Sequence, residues 1–226
     1  MMHGNGQVKH FAIVMARKST HRLIRGAAAL ALALPLLAFI LAGQADCGPA
    51  GDLVGAARDQ IGKTVSYDPR YQALDYPDGD VPMGRGVCSD VIIRAMRASL
   101  HLDLQKLVHE DMQANFPKYP RRWGLNQPDS NIDHRRVPNL RTYFERRGWA
   151  LEVSMEAGAY RPGDIVTCIV PLHRPHIMMV SDRKNRDGVP FVIHNIGSGV
   201  QEEDRLFEFE ITGHYRIAGT GPSDSL

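Results

Sequence analysis

The sequence predicts an α+β domain, in which helices come first along the chain and pack on an antiparallel sheet that follows them. Between residues 53 and 147, apolar residues recur three and four positions apart, which is the spacing of a helix with one buried face. From residue 149 onward, short apolar runs rich in Val and Ile alternate with turn residues, as strands do. Helices followed by consecutive strands are typical of α+β folds.

Four helices are predicted in the first part of the domain. They cover residues 53–61, 88–100, 103–116 and 138–147. Gly62 and Gly148 directly follow two of these helices and indicate where they stop. Residues 64–86, between the first two helices, are rich in proline and glycine and predict a loop.

Six strands are predicted after residue 148. They cover residues 149–154, 165–170, 176–181, 191–195, 207–211 and 214–217. A Pro-Gly-Asp turn at 162–164 precedes the second strand, and the polar segment 185–188 predicts a hairpin turn between the third and fourth.

The first 45 residues have the composition of a secretory signal peptide. They contain five basic residues and no acidic one, and an apolar run over residues 26–41 leads to small residues at Gly43 and Ala45. We expect cleavage after Ala45. The chain then divides into a signal peptide over 1–45, a linker over 46–52, the domain over 53–217 and a C-terminal tail over 218–226.

An uncleaved membrane anchor is the alternative reading of this segment. Its apolar run has 16 residues, whereas a helix needs roughly 20 to cross a bilayer. The signal peptide therefore predicts a protein that is secreted across the inner membrane into the periplasm, with a membrane contact only if the segment is retained.

Charge argues against nucleic acid as a partner. The chain has 27 basic and 25 acidic residues, and removal of the signal segment leaves 22 basic against 25 acidic ones. Nucleic-acid binding needs a clustered basic face, which this slightly acidic domain does not predict.

Three cysteines are present, Cys47, Cys88 and Cys168. In an oxidising compartment an odd number leaves at least one thiol outside any disulfide. Pairing of Cys47 with Cys168 stays open at this point.

Cys88 follows a glycine-rich loop and opens a predicted helix, in the segment GRGVCSD at 84–90. A thiol at a helix N-terminus faces unpaired backbone N–H groups and the positive end of the helix dipole, which favour the thiolate. The same N–H groups suit a developing oxyanion. A buried and inert helix-start cysteine is the alternative.

Two histidines flank the hairpin at 185–188. His176 opens one strand and His194 lies near the end of the next, so antiparallel pairing brings their side chains together. We expect His176 to act as the base for Cys88, and His194, or Asn195 after a register shift, to orient His176.

The order of these motifs resembles the papain-like NlpC superfamily of cell-wall cysteine peptidases. The matching segments are VCSD at 87–90, PGDIV at 162–166, HIMMV at 176–180 and IHN at 193–195. The resemblance implies a papain-like NlpC-type fold, a Cys-His-His site of Cys88, His176 and His194, and a peptidoglycan peptide as substrate.

The chain is still more similar to an uncharacterised bacterial domain-of-unknown-function family typified by YijF, over nearly all of residues 53–217. That similarity is carried by the segments at 86–90, 108–112, 131–140 and 194–197. It implies no activity of its own. Relative to the NlpC pattern, Val87 replaces an Asp, Asp90 replaces a Gly, and the insertion over 102–138 is long.

Further candidates for substrate binding or support surround this site. Tyr67 corresponds to a cleft tyrosine of the NlpC enzymes, although simple loop packing is equally consistent with the sequence. Ser89 and Asp90 follow the nucleophile directly. The polar cluster at 133–136 contains Asp133, His134 and Arg135, whose guanidinium suits a substrate carboxylate.

A zinc site is the competing interpretation of the histidines. The available ligands are His173, His176, His194, His214 and Asp133. No pair has the i, i+4 spacing of a helical metal motif and no cysteine pair has ligand spacing, so we expect neither metal nor cofactor.

The sequence therefore predicts a secreted cysteine hydrolase, an amidase or endopeptidase of cell-envelope peptide. Two alternatives remain: a catalytically inactive envelope binding module on the same fold, and a thiol acyltransferase.

Overall fold

The computed structural model describes residues 49–217, and the structural statements below refer to this part of the chain. The predicted signal peptide, Cys47 and the tail over 218–226 lie outside the described residues. Among the helices that are described, none combines the length and apolar character that a membrane crossing requires.

Four α-helices precede the main sheet, as predicted. They are α1 (Pro49–Arg58), α2 (Cys88–Leu100), α3 (Leu104–Asn115) and α4 (Val137–Arg146). Helix α1 ends earlier than predicted, because residues after Arg58 tighten into turns and Gly62 adopts a left-handed conformation. Asp103 lies outside α3 as its cap, accepting a hydrogen bond from the Gln105 N–H at 3.1 Å.

Eight strands form two sheets. A parallel pair consists of β1 (Ser66–Tyr67) and β2 (Arg85–Gly86). The antiparallel sheet contains β3 (Ala150–Leu151), β4 (Ile165–Val170), β5 (Arg174–Lys184), β6 (Pro190–Asn195), β7 (Val200–Glu203) and β8 (Glu210–Tyr215), in the order β3-β8-β4-β5-β6-β7. The α+β class and the packing of helices on an antiparallel sheet are thus confirmed.

The strand predictions were wrong in four places, the first being the β1–β2 pair within the predicted loop at 64–86. The two separate strands expected at 207–211 and 214–217 are one strand, β8, and the strand expected at 149–154 is reduced to Ala150–Leu151. Strand β7 was not predicted at all, because the segment VQEE contains one apolar residue and shows no alternation. Pairing with β6 makes it a strand, through contacts such as His194 opposite Gln201.

The sheet is covered on both faces, which explains why its central strands read as continuous apolar runs. On one face, Ile177 and Met179 pack in a core shared with α1, α2, α3 and α4. On the other face, Met178 and Val180 pack in a smaller core that includes Tyr160.

The loop between α1 and α2 is held against the sheet and leads directly to the predicted nucleophile, Cys88, at the start of α2. Helix α2 packs on β5 and β6, and the parallel β1–β2 pair aligns Ser66 with Arg85 just before α2 begins. The start of α2 is thereby brought to the strands that carry the two histidines.

Candidate active site

Cys88 is the first residue of α2, and the turn before it is closed by Asp90. The Asp90 carboxylate accepts a hydrogen bond at 2.6 Å from the N–H of Val87, the N-cap residue. Only glycine fits at position 86, because a Cβ there would lie 2.9 Å from the Asp90 carboxylate oxygen. The glycine-rich sequence therefore permits a tight entry into the helix.

The thiol of Cys88 is almost completely buried, with 3% of the residue exposed. Burial raises the pKa of Cys88 to about 11, and the nearby backbone N–H groups of Ile177 and Ser89, which favour the thiolate, offset this only in part. The prediction of a thiolate favoured by the helix start is therefore wrong for the resting state. Because the Ile177 backbone acts on the Cys88 thiol, the start of α2 lies near the residue that follows His176.

The two predicted histidines are hydrogen-bonded to each other. His176 Nε2 lies 2.8 Å from His194 Nδ1, and both side chains are buried. Burial, reinforced by neighbouring His194, lowers the pKa of His176 to about 3, and burial likewise lowers the pKa of His194. Both rings are therefore neutral at pH 7.

A carboxylate that the sequence reasoning missed extends this pair. Glu203, on β7, places Oε2 at 3.0 Å from His194 Nε2. The strand that carries it was itself not predicted, so no sequence signal indicated the contact. The structure thus aligns His176, His194 and Glu203 in one hydrogen-bonded line.

A cleft of about 450 Å³ opens above Cys88. Its lining is mainly apolar and also contains three arginines. The lining residues are Tyr67, Pro69, Val87, Cys88, Arg122, Trp123, Ile132, Arg135, Arg136, Val137, Pro138 and Pro175. The insertion over 102–138 supplies one wall of this cleft. A smaller cleft of about 140 Å³ is lined by His176 and shares Tyr67 and Pro175 with the larger one.

Tyr67 lies at the junction of the two clefts. Burial, together with the neighbouring Cys88, raises the pKa of Tyr67. The residue is 36% exposed, so part of its side chain faces solvent. The structure therefore places Tyr67 at the thiol rather than in simple loop packing.

Arg135 does not offer its guanidinium to a substrate. Its Nε and Nη2 atoms bind the Asp90 carboxylate at 2.9 and 2.8 Å, and both side chains are buried. Ser89 Oγ donates to the Arg135 carbonyl at 2.7 Å. Ser89, Asp90 and Arg135 together fasten the inserted segment to the start of α2, which corrects the expectation that Arg135 binds a carboxylate ligand.

The other members of the polar cluster have structural partners. Asp133 accepts from Arg136 at 2.9 Å and from the Asp129 N–H at 2.6 Å. His134 is buried outside the cleft lining, and burial lowers its pKa to about 4. Neither Asp133 nor His134 therefore faces the space above Cys88.

Arg122 and Trp123 are cleft residues that the sequence reasoning did not single out. Arg122 forms no ion pair with any of the described residues. Trp123 lies under the Arg136 guanidinium, whose carbon is 4.1 Å from the ring centroid. Arg122 thus provides an uncompensated positive charge at the cleft rim.

Asn195 supports the loop rather than His176. Its amide nitrogen donates to the carbonyls of Gly86 at 3.1 Å and Ser66 at 3.3 Å. The β1–β2 pair is thereby fixed to the end of β6. It is the ring of His194, and not the amide of Asn195, that contacts His176.

Cys168 and His214 do not assemble a second site. Cys168 is a buried free thiol on β4, directly opposite His176 in the register. His214 Nε2 donates to Oδ2 of Asp164, the last residue of the Pro-Gly-Asp turn, at 2.8 Å. Within residues 49–217, no three His, Cys, Asp or Glu side chains cluster as metal ligands would.

Comparison with known proteins places the domain in a family. The model of a family described as "Domain of unknown function (DUF1287)" matches residues 54–217. The "Uncharacterized protein YijF" of Escherichia coli strain K12 is 57% identical over 164 residues, which are 73% of this chain and 80% of that protein.

A solved structure, "Structure of NlpC2 from Trichomonas vaginalis", aligns with a TM-score of 0.35 and 16% identity. The alignment covers 73% of this chain and 46% of that chain, so this chain spans about half the length of the solved one.

Proposed function

Since the chain belongs to the DUF1287 family, we propose from the site itself that it is a cysteine hydrolase that cleaves amide bonds in cell-envelope peptide. The observations that carry this proposal are Cys88 in one cleft, the hydrogen-bonded line of His176, His194 and Glu203, and the residues Tyr67 and Pro175 that the Cys88 and His176 clefts share. A nucleophile, a base and a group that orients the base are what covalent acyl transfer requires.

In this mechanism the thiol and the imidazole start as a neutral pair. The Cys88 proton moves to His176 as the sulfur attacks the scissile carbonyl, and His176 returns that proton to the leaving amine. Water then attacks the thioester, with His176 again taking a proton, and regenerates the thiol. The pKa of His176 is lowered and that of the Cys88 thiol is raised. In this mechanism the thiol proton therefore moves to His176 as the sulfur attacks, and not before.

The tetrahedral oxyanion is stabilised by donors beside the sulfur. The backbone N–H groups at the start of α2 point towards this region, and the positive end of the helix dipole adds to their effect. The Tyr67 hydroxyl, which lines the same cleft as Cys88, supplies an additional donor.

The cleft suits a peptide that carries a carboxylate. Trp123 and the prolines provide an apolar surface, while Arg122 offers a guanidinium that no described carboxylate occupies. Peptidoglycan peptide, the substrate implied by the motif resemblance, has this chemistry. The signal-like segment before residue 46 supports export to the periplasm, where that polymer is found.

The decisive experiment compares Cys88→Ala with Cys168→Ala on purified sacculi and muropeptides. Both variants remove one buried free thiol, so their effects on packing are matched. We expect Cys88→Ala to abolish release of peptide products and Cys168→Ala to retain it. Hydrolysis that persists in Cys88→Ala would exclude Cys88 as the nucleophile.

A second variant tests the base. His176→Ala should lower kcat/KM by about 10²- to 10⁴-fold, which is the usual contribution of general acid–base catalysis. His214→Ala is the matched control, because His214 is equally buried but bound to Asp164 outside both clefts. Equal losses in the two variants would point to a folding effect and remove His176 from the mechanism.

A non-catalytic envelope binding module is the second candidate, favoured by the buried thiol with its raised pKa. This reading predicts that muropeptides bind to the cleft and are recovered intact, with equal affinity for the native protein and Cys88→Ala. Recovery of cleaved peptide from the native protein alone excludes it.

A further inference from the structure

We propose that Glu203 is a positioning residue that fixes the tautomers of both histidines and thereby makes His176 a base towards Cys88. This inference rests on the proposed function and deepens it. It concerns a residue on β7 that lies outside the Cys-His-His set expected from the sequence.

The argument follows the hydrogen bonds from the carboxylate inward. An ionised carboxylate only accepts, so the contact of 3.0 Å between Glu203 Oε2 and His194 requires a proton on His194 Nε2. Neutral His194 then has a lone pair on Nδ1. Because that atom lies 2.8 Å from His176 Nε2, the proton between the rings belongs to His176.

The consequence appears at the other nitrogen of His176. With its proton on Nε2, neutral His176 carries a lone pair on Nδ1, the form needed to accept the thiol proton. The opposite tautomer would present an N–H group at Nδ1 and could not act as a base. One carboxylate thus sets the direction of two successive hydrogen bonds.

Glu203 is held in place for this task. Gln201 pairs directly with His194, so Glu203, two residues further along β7, lies on the same face as its diagonal neighbour. Its second oxygen, Oε1, is 3.3 Å from Arg205 Nε. Arg205 Nε also lies 3.4 Å from the Glu208 carboxylate. Since Arg205 contacts Oε1 of Glu203, the other oxygen, Oε2, is available to His194.

Two chemical properties follow from the line. The lone pair on Nδ1 of His176 is in place before the substrate binds. The His176 imidazolium that forms during attack donates a hydrogen bond to His194, which in turn donates to the negatively charged Glu203. Loss of Glu203 should therefore lower kcat and leave KM nearly unchanged, because Glu203 lines neither cleft.

The experiment uses Glu203→Ala with Glu208→Gln as the matched control. Both variants remove a carboxylate that neighbours Arg205, but only Glu203 contacts His194. We expect kcat on muropeptides to fall about 10- to 100-fold in Glu203→Ala. The kcat of the Glu208→Gln control should stay within twofold of the native value. The kcat of Glu203→Gln should lie between those of Glu203→Ala and the control, because the glutamine carbonyl oxygen still accepts a hydrogen bond but the amide group also donates one.

Nitrogen-15 NMR of histidine-labelled protein supplies a readout that needs no substrate. In the native protein, His176 and His194 should each show a protonated Nε2 and an unprotonated Nδ1 at pH 7. In Glu203→Ala at least one ring should show mixed tautomers, whereas Glu208→Gln keeps the native pattern. Unchanged tautomers in Glu203→Ala would overturn the inference.

The two proposals fail in distinguishable ways. If the native protein shows no hydrolysis but Glu203→Ala changes the tautomers, the proposed hydrolase activity is excluded and the positioning role of Glu203 stands. If hydrolysis depends on Cys88 but not on Glu203, the positioning role of Glu203 is excluded and the proposed hydrolase activity stands.

Discussion

Asp90 and Arg135 form a bidentate ion pair directly behind the predicted nucleophile. Two hydrogen bonds of 2.9 and 2.8 Å join them, and their side chains are 3% and 2% exposed. Asp90 also closes the turn before Cys88, so its negative charge lies close to the sulfur. The guanidinium of Arg135 compensates that charge.

Arg135→Met is therefore expected to affect both stability and the thiol. It leaves the Asp90 carboxylate buried without a counter-ion, which should cost about 3–5 kcal/mol of unfolding free energy. The uncompensated charge should also raise the pKa of Cys88 and slow its alkylation. Urea unfolding and the rate of iodoacetamide labelling at pH 9 measure the two effects.

Arg216→Met serves as the control for Arg135→Met. It withdraws a bidentate guanidinium from another buried carboxylate, Asp164, outside both clefts. It should destabilise the protein without changing Cys88 labelling. The double variant Asp90→Asn, Arg135→Met should recover the native labelling rate. Native-rate labelling in Arg135→Met would contradict the electrostatic role.

The pH dependence of Cys88 labelling follows from its burial. Because burial raises the pKa of Cys88 to about 11, the thiolate fraction should increase about tenfold for each pH unit between pH 7 and 10. Mass spectrometry of the peptide that contains Cys88 separates it from the other thiols. A rate that is already constant between pH 5 and 8 would show an ion pair with His176 and refute the neutral pair.

Arg122→Gln tests the chemistry of the cleft. Removing the uncompensated guanidinium should raise KM for a muropeptide with a free carboxylate about fivefold, equivalent to about 1 kcal/mol. Amidation of that carboxylate should have the same effect on the native protein and no further effect on the variant. Arg121→Gln is the control, because Arg121 does not line the main cleft. Equal KM values for acid and amide in the native protein would exclude carboxylate recognition.

Acid stability should reflect the buried neutral histidines. Burial holds the pKa of His176 at about 3 and that of His134 at about 4, and it lowers the pKa of His194 as well. The unfolded chain takes up these protons near pH 6.5, so stability is complete above that pH and is lost as pH falls towards the folded values. Each histidine contributes a slope of up to about 1.4 kcal/mol per pH unit.

His134→Gln isolates one of these contributions, because His134 lies outside both clefts. The variant should lose less unfolding free energy than the native protein between pH 6.5 and 4.5. Urea titrations at several pH values measure that slope. An identical slope in the variant would mean that His134 takes up its proton equally in the folded and unfolded states.

Local sequence signals were sufficient to predict four helices followed by an antiparallel sheet, and the position of Cys88 at the start of a helix. Apolar spacing reports which faces are buried, and glycine and proline report where elements stop, so both can be read within a short window. The proximity of His176 and His194 was also predictable, because a short hairpin joins their strands.

The tertiary structure alone decided which distant side chains meet. Asp90 and Arg135 are 45 residues apart, and their pairing changed the expected role of Arg135 from binding to support. Glu203 became part of the histidine line only because the polar segment at 200–203 pairs with β6. Such contacts depend on strand register and on the path of an inserted loop, which are set by the whole fold and leave no periodic trace in the local sequence.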